Sequence, residues 1–338
     1  MRPLFHPCLV NGRYGDPAVY VETLFERRGL LFDLGEIASL PPRKVQHIDQ
    51  IFVSHAHIDH FVGFDRLLRL LVGREKSVHI YGPPGLADHV HHKLQGYRWD
   101  LVESYRYDLV FIVSERQTPQ SIVTTRFRLK TAFAAEPPVS RAAIDGIFCE
   151  EPTFRVSAAI LEHHTPCLGF ALQEAAHINI WKNRLEERGL PVGQWLRSLK
   201  RAVVEGCADD HLIHIDGATT SAGRIEQLGS LRDLLTITTG QKIAYVTDVA
   251  DTPANRIAIV ALVCNADILF IEGAFAARDK ELARQRGHLT TTAAGQIARA
   301  ANVRRVEPFH FSPRYTGEEP RLLAEVMAAF RQQDQGDL

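Results

Sequence analysis

The run Ser-His-Ala-His-Ile-Asp-His at residues 54–60 constrains the fold of this chain more than any other segment. Its three histidines and one aspartate follow directly on the apolar residues 51–53, which have the β-branched and aromatic character of a buried strand. Imidazole nitrogen and carboxylate oxygen are ligand atoms that zinc and similar divalent ions take in proteins. The run therefore predicts a metal site at the end of a strand.

The spacing within this run indicates how many ions it can serve. Along an extended segment successive side chains alternate, which puts His55, His57 and Asp59 on one side. His60 then turns back at the start of the next element. Four such side chains exceed what one tetrahedral ion needs from so short a segment, so the run indicates half of a site for two metals.

Composition is that of an ordinary globular protein. The chain has 338 residues, 45% apolar and 23% charged, and its formal net charge is −1. This balance provides no overall attraction to nucleic acid or to an anionic membrane, so any basic surface must be local. Five scattered cysteines without close spacing favour a reducing compartment. The sequence shows no signal-peptide pattern and no apolar run long enough to span a membrane, so we expect a cytoplasmic protein without membrane contact.

Strand and helix patterns alternate over residues 1–100 and again over 242–311, while 108–172 is richer in strand. This order predicts an α/β protein, an αββα sandwich of two facing mixed β-sheets with outer helices. We expect residues 1–338 to form a single domain, with a substrate-binding arm inserted at about 174–215.

Further ligand-type residues follow other apolar runs, as the histidine run does. His163 and His164 come just after residues 160–161, and either could be a ligand. Asp248 and His310 each follow an apolar stretch of their own. Polar residues are common at strand ends, so each position alone indicates little. Together with the histidine run they predict a site completed from several strands.

The segment 181–205 is locally basic, with six lysines and arginines against three glutamates. One interpretation is a pair of solvated amphipathic helices. The other is a basic, aromatic-bearing arm that contacts a phosphate backbone. On the second interpretation the predicted substrate-binding residues are Lys182, Arg184, Arg197, Lys200 and Arg201.

Together these motifs resemble those of the metallo-β-lactamase superfamily and, within it, the ribonuclease Z branch. The run at 55–60 fits the superfamily's His-x-His-x-Asp-His signature in full. Six further segments resemble motifs of the branch. Residues 33–36 resemble its early aspartate strand, 161–170 its third-histidine segment and 189–194 its arm motif. Residues 247–248 resemble its bridging-aspartate segment, 287–291 its His-Ser-Thr loop and 309–315 its closing His-x-Ser-x-Arg-Tyr. The last of these adds Arg314 to the predicted substrate-binding residues.

The resemblance implies a metal-dependent phosphodiesterase, and in more detail an endoribonuclease that processes tRNA precursor 3′ ends. The implied ligands of two zinc ions are His55, His57 and His163 for one, Asp59, His60 and His310 for the other, and Asp248 as the bridge. A hydroxide held by the two ions would attack the phosphodiester. Asp59 would orient this nucleophile and accept its proton, while His288, paired with Glu272, would protonate the leaving oxygen. Asp33 would support the ligand histidines. Ligand type does not separate zinc from Mn²⁺ or Fe²⁺.

The chain departs from the branch in ways that leave other substrates open. Gln194 stands where the arm motif ends in proline, residues 271–274 read Ile-Glu-Gly-Ala in place of His-Glu-Ala-Thr, and the opening lacks the usual Gly/Thr-rich stretch. The alternatives are a hydrolase of a small phosphodiester such as a cyclic nucleotide, a hydrolase of a carboxylic ester, thioester or lactam, and a non-catalytic protein on the same fold. The presence of every ligand type argues against the last. The resemblance also implies RNA as the partner and a homodimer.

Overall fold

The computed structural model describes residues 4–24, 28–144, 146–175, 177–216 and 224–332. The chain divides into two compact units. The first comprises Met1–Gln173 and Gln241–Leu338, and the second is Glu174–Gly240. The arm predicted at about 174–215 falls in the second unit, which continues past the predicted end, and residue 176 lies outside the described part of the chain. A single domain with a substrate-binding arm stays a prediction.

The first unit is built on two mixed β-sheets. One has eight strands that pair in chain order, β1 Phe5–Leu9, β2 Val19–Thr23, β3 Gly29–Phe32, β4 Ile48–Phe52, β5 Lys76–Gly82, β6 Leu109–Thr118, β7 Ser121–Arg128 and β8 Val139–Ala142. The other has six strands, β9 Ile147–Glu150, β10 Phe154–Leu161, β11 Cys167–Glu174, β16 Lys242–Val246, β17 Ile268–Glu272 and β18 Val306–Phe309, in the order β18-β17-β16-β11-β10-β9. Strands β3 to β6 run parallel, as do β16 to β18.

Helices connect the parallel strands, because neighbouring parallel strands require a crossover connection. The helices of the first unit are α1 Pro42–His47, α2 Ile58–Phe61, α3 Phe64–Leu71, α4 Leu86–Gln95, α8 Pro253–Val263, α9 Lys280–Arg286, α10 Thr291–Ala300 and α11 Glu319–Arg331. Among the described residues, no helix combines the length and apolar composition required to cross a membrane.

Helix α3 shows why these segments pack as they do. Its buried residues are Phe64, Leu67, Leu68 and Leu71, spaced three and four apart, so they form one apolar stripe. That stripe joins the side chains of α1 and α4 in a core against the eight-stranded sheet.

The unit is layered as an αββα sandwich, which confirms the predicted fold. Aromatic side chains of both sheets meet between them: Phe170 of β11 lies 6.0 Å from Phe32 and 5.7 Å from Phe52, centroid to centroid. A separate core lies between the six-stranded sheet and helices α8, α10 and α11. Each sheet thus buries both faces, which is typical of parallel strands with helical crossovers.

The second unit has a small core of its own. Its strands form two antiparallel pairs, β12 His177–Ile180 with β15 Leu235–Thr238 and β13 Leu212–Ile215 with β14 Arg224–Gln227. Its helices are α5 Lys182–Glu187, α6 Trp195–Val204 and α7 Leu228–Leu231. Trp195 is 1% exposed and packs among aliphatic residues of these elements.

Candidate metal centre

The ends of several strands bring the ligand-type residues together at one edge of the first unit. Asp33 follows β3 and His55 follows β4, while Asp248 follows β16, Glu272 ends β17 and His310 follows β18. Parallel strands end at the same edge of a sheet, so residues far apart in sequence become neighbours there. The seven side chains predicted as metal ligands are called the metal centre below: His55, His57, Asp59, His60, His163, Asp248 and His310.

One group of donors surrounds Oδ2 of Asp248. Nε2 of His55 lies 3.6 Å from this oxygen and Nε2 of His163 lies 3.9 Å from it. Nδ1 of His57 is 2.9 Å from Nε2 of His55. The four ligand atoms all lie within 4.8 Å of one another, which suits a single metal ion.

A second group shares the same aspartate. Nε2 of His60 is 3.4 Å from Oδ2 of Asp248 and 3.4 Å from Oδ2 of Asp59. His310 places Nε2 3.4 Å from Asp59 and Nδ1 3.0 Å from Oδ1 of Asp248. Asp59, His60 and His310 therefore form a compact donor set. Asp248 presents one oxygen to His310 and the other to His55, His60 and His163.

The predicted alternation through the histidine run is wrong at Asp59. Helix α2 begins at Ile58, so Asp59 and His60 both lie in its single turn, and Asp59 joins His60 rather than His55 and His57. A close backbone approach locks this turn, because Gly63 donates its N–H to Leu34 O at 2.9 Å. A Cβ on Gly63 would lie 2.2 Å from the carbonyl oxygen of Gly35 in the neighbouring loop, so only glycine fits at this position.

Three residues at this edge have a left-handed backbone. The φ angles are +57° at Asp33, +48° at Asp248 and +58° at His310. Non-glycine residues rarely adopt this conformation, and each instance costs roughly 1–3 kcal/mol. The surrounding structure holds all three, which concentrates backbone strain where the strands deliver the donors.

The residues present fit a divalent metal. Nε2 of His60 is fully buried and has no hydrogen-bond partner among the described residues, although two carboxylates lie 3.4 Å away. A buried polar atom without a partner is costly, and a coordinated cation would satisfy it. The donors are imidazole nitrogens and carboxylate oxygens, the set that zinc and similar ions select.

A hydrogen-bond network below the metal centre holds His60 in place. Asp33 Oδ2 lies 2.7 Å from Nδ1 of His60 and accepts hydrogen bonds from the hydroxyls of Ser54 at 2.8 Å and Tyr245 at 2.7 Å. The Ser54 N–H donates to the other oxygen of Asp33 at 2.6 Å. Nδ1 of His60 therefore carries the proton towards Asp33, and Nε2 is left as the ligand atom.

The sequence reasoning missed Ser54 and Tyr245. Tyr245 lies 212 positions from Asp33, inside a strand that looked purely apolar. A tyrosine in a fully buried strand was the available signal, since a buried phenol hydroxyl requires a partner.

Opposing effects set the charges in the metal centre. Burial disfavours the charged form of Asp248, but His310 and His60 outweigh it and hold the pKa of this carboxyl well below its usual value. Burial, reinforced by His60, lowers the pKa of His55 to about 2. His55 is therefore neutral near pH 7, the form in which imidazole binds a metal.

His288 and Glu272 form a pair beside the metal centre. Nδ1 of His288 lies 2.8 Å from Oε2 of Glu272, which is fully buried and accepts the Val249 N–H at its other oxygen at 2.7 Å. Burial opposes the charge of His288, but Glu272 and then Asp248 overcome it and raise the pKa of the imidazole. Burial likewise opposes the charge of Glu272, and His288 keeps its pKa below the usual value.

The residue pattern alone did not decide which of the adjacent His163 and His164 is a ligand, and the structure distinguishes the two. The His163 side chain is 2% exposed, and its Nδ1 lies 3.0 Å from Gly287 O while Nε2 faces Asp248. His164 instead lies 3.1 Å from Arg286 O and is not among the clustered donors. Gly287 has φ +67°, and its contact with His163 links that ligand to the loop carrying His288.

The predicted substrate-binding residues differ in whether their charged groups already form ion pairs or hydrogen bonds. Arg201 pairs with Glu205 at 2.7 Å, and Arg184 donates to the Asp233 carbonyl. The other three predicted positions in the arm are exposed and make no ion pair among the described residues: Lys182, Arg197 and Lys200. In the first unit, Arg314 lies over the ring of Phe275 at 5.7 Å. Their role in substrate binding stays a prediction.

Comparison with known proteins agrees with this geometry. The model of the Beta-lactamase superfamily domain matches residues 19–132 and 229–311. Ribonuclease Z of Deinococcus radiodurans is 31% identical over 305 residues, covering 89% of this chain and 88% of that protein. Ribonuclease Z of a Nostoc species is 31% identical over 317 residues, covering 90% and 82%.

Solved structures share the fold. Human tRNase Z, short form, aligns with a TM-score of 0.51 and 19% identity over 92% of each chain. A metallo-beta-lactamase fold protein from Bacillus subtilis aligns with a TM-score of 0.54 and 15% identity, covering 96% of this chain and 92% of that one. At these identities the likeness concerns the fold alone, and this fold implies a divalent metal.

Proposed function

We propose that this chain, which belongs to the ribonuclease Z family of the β-lactamase superfamily, is a metal-dependent endoribonuclease that processes the 3′ ends of tRNA precursors. The observation that carries the proposal is the convergence of the predicted ligands on Asp248. The His288–Glu272 pair lies beside them and, with Asp248 and His310, is itself close enough to hold a metal ion. A metal site alone is common to many hydrolases. A proton donor next to it suits the cleavage of an ester whose leaving oxygen must be protonated.

Two zinc ions per subunit are the proposed cofactors. The proposed ligands are His55, His57 and His163 for one ion, Asp59, His60 and His310 for the other, and Asp248 for both. When bound, such ions lower the pKa of water to about 7 and offset negative charge on a phosphodiester. Mn²⁺ and Fe²⁺ have overlapping ligand preferences, so a metal analysis of the isolated protein has to identify the ions.

The side chains around the ions have separate tasks. Asp59 is the exposed carboxylate of the metal centre, 38% exposed where Asp248 is 5% exposed, so it can orient an attacking water and accept its proton. His288 holds Glu272 through Nδ1, which leaves Nε2 to carry a proton to the leaving oxygen. The Val249 N–H fixes the far oxygen of Glu272 and so maintains the orientation of the imidazole.

RNA is the proposed substrate, and the basic arm of the second unit is its proposed contact. Lys182, Arg197 and Lys200 are exposed and form no ion pair within the part of the chain that the structure describes, as cations that meet phosphates should be. We also propose a homodimer in which the arm of one subunit serves the metal centre of the other. Mixing a metal-centre variant with an arm variant tests this, since exchange of subunits should restore cleavage only if the arm acts across subunits.

The proposed location is the cytoplasm. The five cysteines, Cys8, Cys149, Cys167, Cys207 and Cys264, are all free, as a reducing compartment favours. Cell fractionation with a tagged chain tests this location.

A side-by-side assay tests the reaction. The metal-loaded protein is offered a 3′-extended tRNA, an aryl phosphodiester and an acyl thioester, before and after chelation. We expect endonucleolytic cleavage of the tRNA, slower turnover of the aryl ester, and loss of both on chelation. Hydrolysis of the thioester alone would overturn the proposal, as would full activity after the metals are removed.

A further inference from the structure

A cavity of about 280 Å³ opens directly beside the metal centre in the first unit. Asp59, His288 and His310 form its inner wall, and Tyr14 and Asp16 belong to the outer wall. The outer wall also contains Phe275 and Ser312. A volume near the lower end of the roughly 300–1,000 Å³ of small-ligand sites suits one nucleoside.

The outer wall is held in place before any substrate arrives. The hydroxyl of Tyr14 donates to Tyr315 O at 2.9 Å, and its ring meets Phe311 edge-on at 5.6 Å. The Asn11 side chain donates to Asp16 O at 2.8 Å. Phe311 N–H donates to the carbonyl preceding Tyr14 at 2.9 Å, which ties the segment to the loop after β18. The cavity is therefore largely pre-organised, which lowers the cost of binding.

The outer part of the cavity does not suit a phosphate group. Within the described residues no lysine or arginine lines the cavity, and Asp16 adds a carboxylate away from the metal centre. Phe275 and Tyr14 supply aromatic surface, on which nucleobases stack. These features suit a base and ribose rather than the charged backbone.

The position of His288 indicates which nucleoside enters. In the proposed function, on which this inference rests, His288 protonates the leaving 3′ oxygen. Because His288 also lines the cavity, the nucleoside that carries this oxygen has to lie there. It is the last nucleoside of the matured RNA, immediately 5′ to the cleaved bond.

Asp16 gives the cavity a means of reading that base. Its Oδ2 accepts the Glu36 N–H at 3.2 Å, and its Oδ1 makes no hydrogen bond among the described residues. A carboxylate accepts hydrogen bonds and cannot donate them when ionised. We infer that the cavity is the subsite for the nucleoside 5′ to the scissile phosphate, and that Asp16 selects a base that presents an exocyclic amino group there.

The experiment compares bases that differ in that group and in the adjacent ring nitrogen. Four otherwise identical RNA substrates carry cytidine or uridine, and adenosine or inosine, immediately 5′ to the cleaved bond. Within each pair the exocyclic amino group is replaced by a carbonyl oxygen, and the neighbouring ring nitrogen gains a hydrogen. We expect the native protein to cleave the amino member about tenfold faster in kcat/KM, as for a hydrogen bond to a charged acceptor. Competition by product RNAs ending in cytidine or uridine should show the same preference in binding.

Asp16→Ala should bring each pair to within about twofold. Asp16→Asn keeps an oxygen for the Glu36 N–H but can donate, so it should weaken or invert the preference even if the alanine variant fails to fold. Asp100→Asn is the matched control, because it removes an exposed carboxylate that does not line the cavity, and its base preference should equal that of the native protein.

The possible failures are distinguishable. Equal cleavage of all four RNAs by the native protein overturns the subsite and leaves the proposed endonuclease intact. A preference that survives in both Asp16 variants overturns the role of Asp16. Absence of cleavage of any RNA by the metal-loaded protein overturns the proposed function and the inference together.

Discussion

The polar groups of the metal centre are held by buried partners, whereas the cations of the basic arm are exposed to solvent. In the metal centre, buried partners hold the donors, as Asp33 holds His60 and Gly287 holds His163. In the arm, Lys182 and Lys200 project from exposed helix faces and make no ion pair among the described residues. Ligands must meet a metal within tenths of an ångström, whereas exposed cations act on a phosphate backbone over a Debye length of about 10 Å. On the proposed function, the reaction therefore depends on the exact placement of the ligands, and the attraction of RNA to the arm depends on the number of charges.

The largest expected effect separates two neighbouring histidines. His163→Ala should remove a ligand, lower the metal content and reduce cleavage by about 10³-fold, because the ions supply several kcal/mol of transition-state stabilisation. His164→Ala should retain both metal and activity, since His164 packs against the His163 ring and lies 3.1 Å from Arg286 O but adds no donor to the metal centre. Metal content by mass spectrometry and cleavage rates measure both. Equal losses in the two variants would contradict this ligand assignment.

His288→Ala tests whether chemistry can fail while the ligands stay in place. The ligands of the metal centre remain, so the metal content should hold while turnover falls by about 10²-fold or more, the range for loss of a proton donor. Metal analysis alongside kcat measures this. Loss of metal on the same substitution would instead make His288 a ligand or a structural residue.

Trp195→Ala perturbs the core of the second unit and leaves the residues of the metal centre unchanged. Its side chain is buried in that unit's core and donates to Pro191 O at 2.8 Å, so its loss should cost about 3–5 kcal/mol of stability there. We expect faster proteolysis within 174–240 and a higher KM for RNA, with native metal content. Limited proteolysis combined with metal analysis checks this, and loss of metal would show that the two regions are not independent.

The smallest expected effect compares Lys200, for which the described residues provide no ion pair, with its neighbour Arg201, which is paired. Lys200→Ala should weaken RNA binding modestly for every sequence and lower the salt dependence by about one unit in the log–log slope. Arg201→Ala is the matched control one residue away, and it should change the slope less because Glu205 already pairs with Arg201. Filter binding across salt concentrations measures both. Identical slopes in the native protein and Lys200→Ala would remove Lys200 from the RNA contact.

Much of the fold followed from the sequence. Apolar runs that end in ligand-type residues indicated alternating strands and helices, and the αββα sandwich is confirmed. The histidine run indicated a metal site because its ligands are local, within six positions of one chain segment. The start of α2 was missed, because a single helical turn after a strand has no periodicity to detect.

Contacts between segments far apart in sequence could not be predicted from the sequence and are seen only in the folded chain. Asp33 reaches His60 across 27 positions and Tyr245 across 212, and nothing in either local pattern singles out these partners. The same holds for the cavity, where Tyr14 and Asp16 meet residues near 275 and 312.

The sequence by itself determined the kinds of donor, their order along the chain and the strands that end in them. Those properties are local, since alternating apolar residues and ligand-type side chains act within a few positions. The tertiary structure decided that Asp248 faces both donor groups, that His163 rather than His164 faces it, and that Asp33 lies behind His60. These are matters of distance between strand ends, and only the register and packing of the two sheets set those distances.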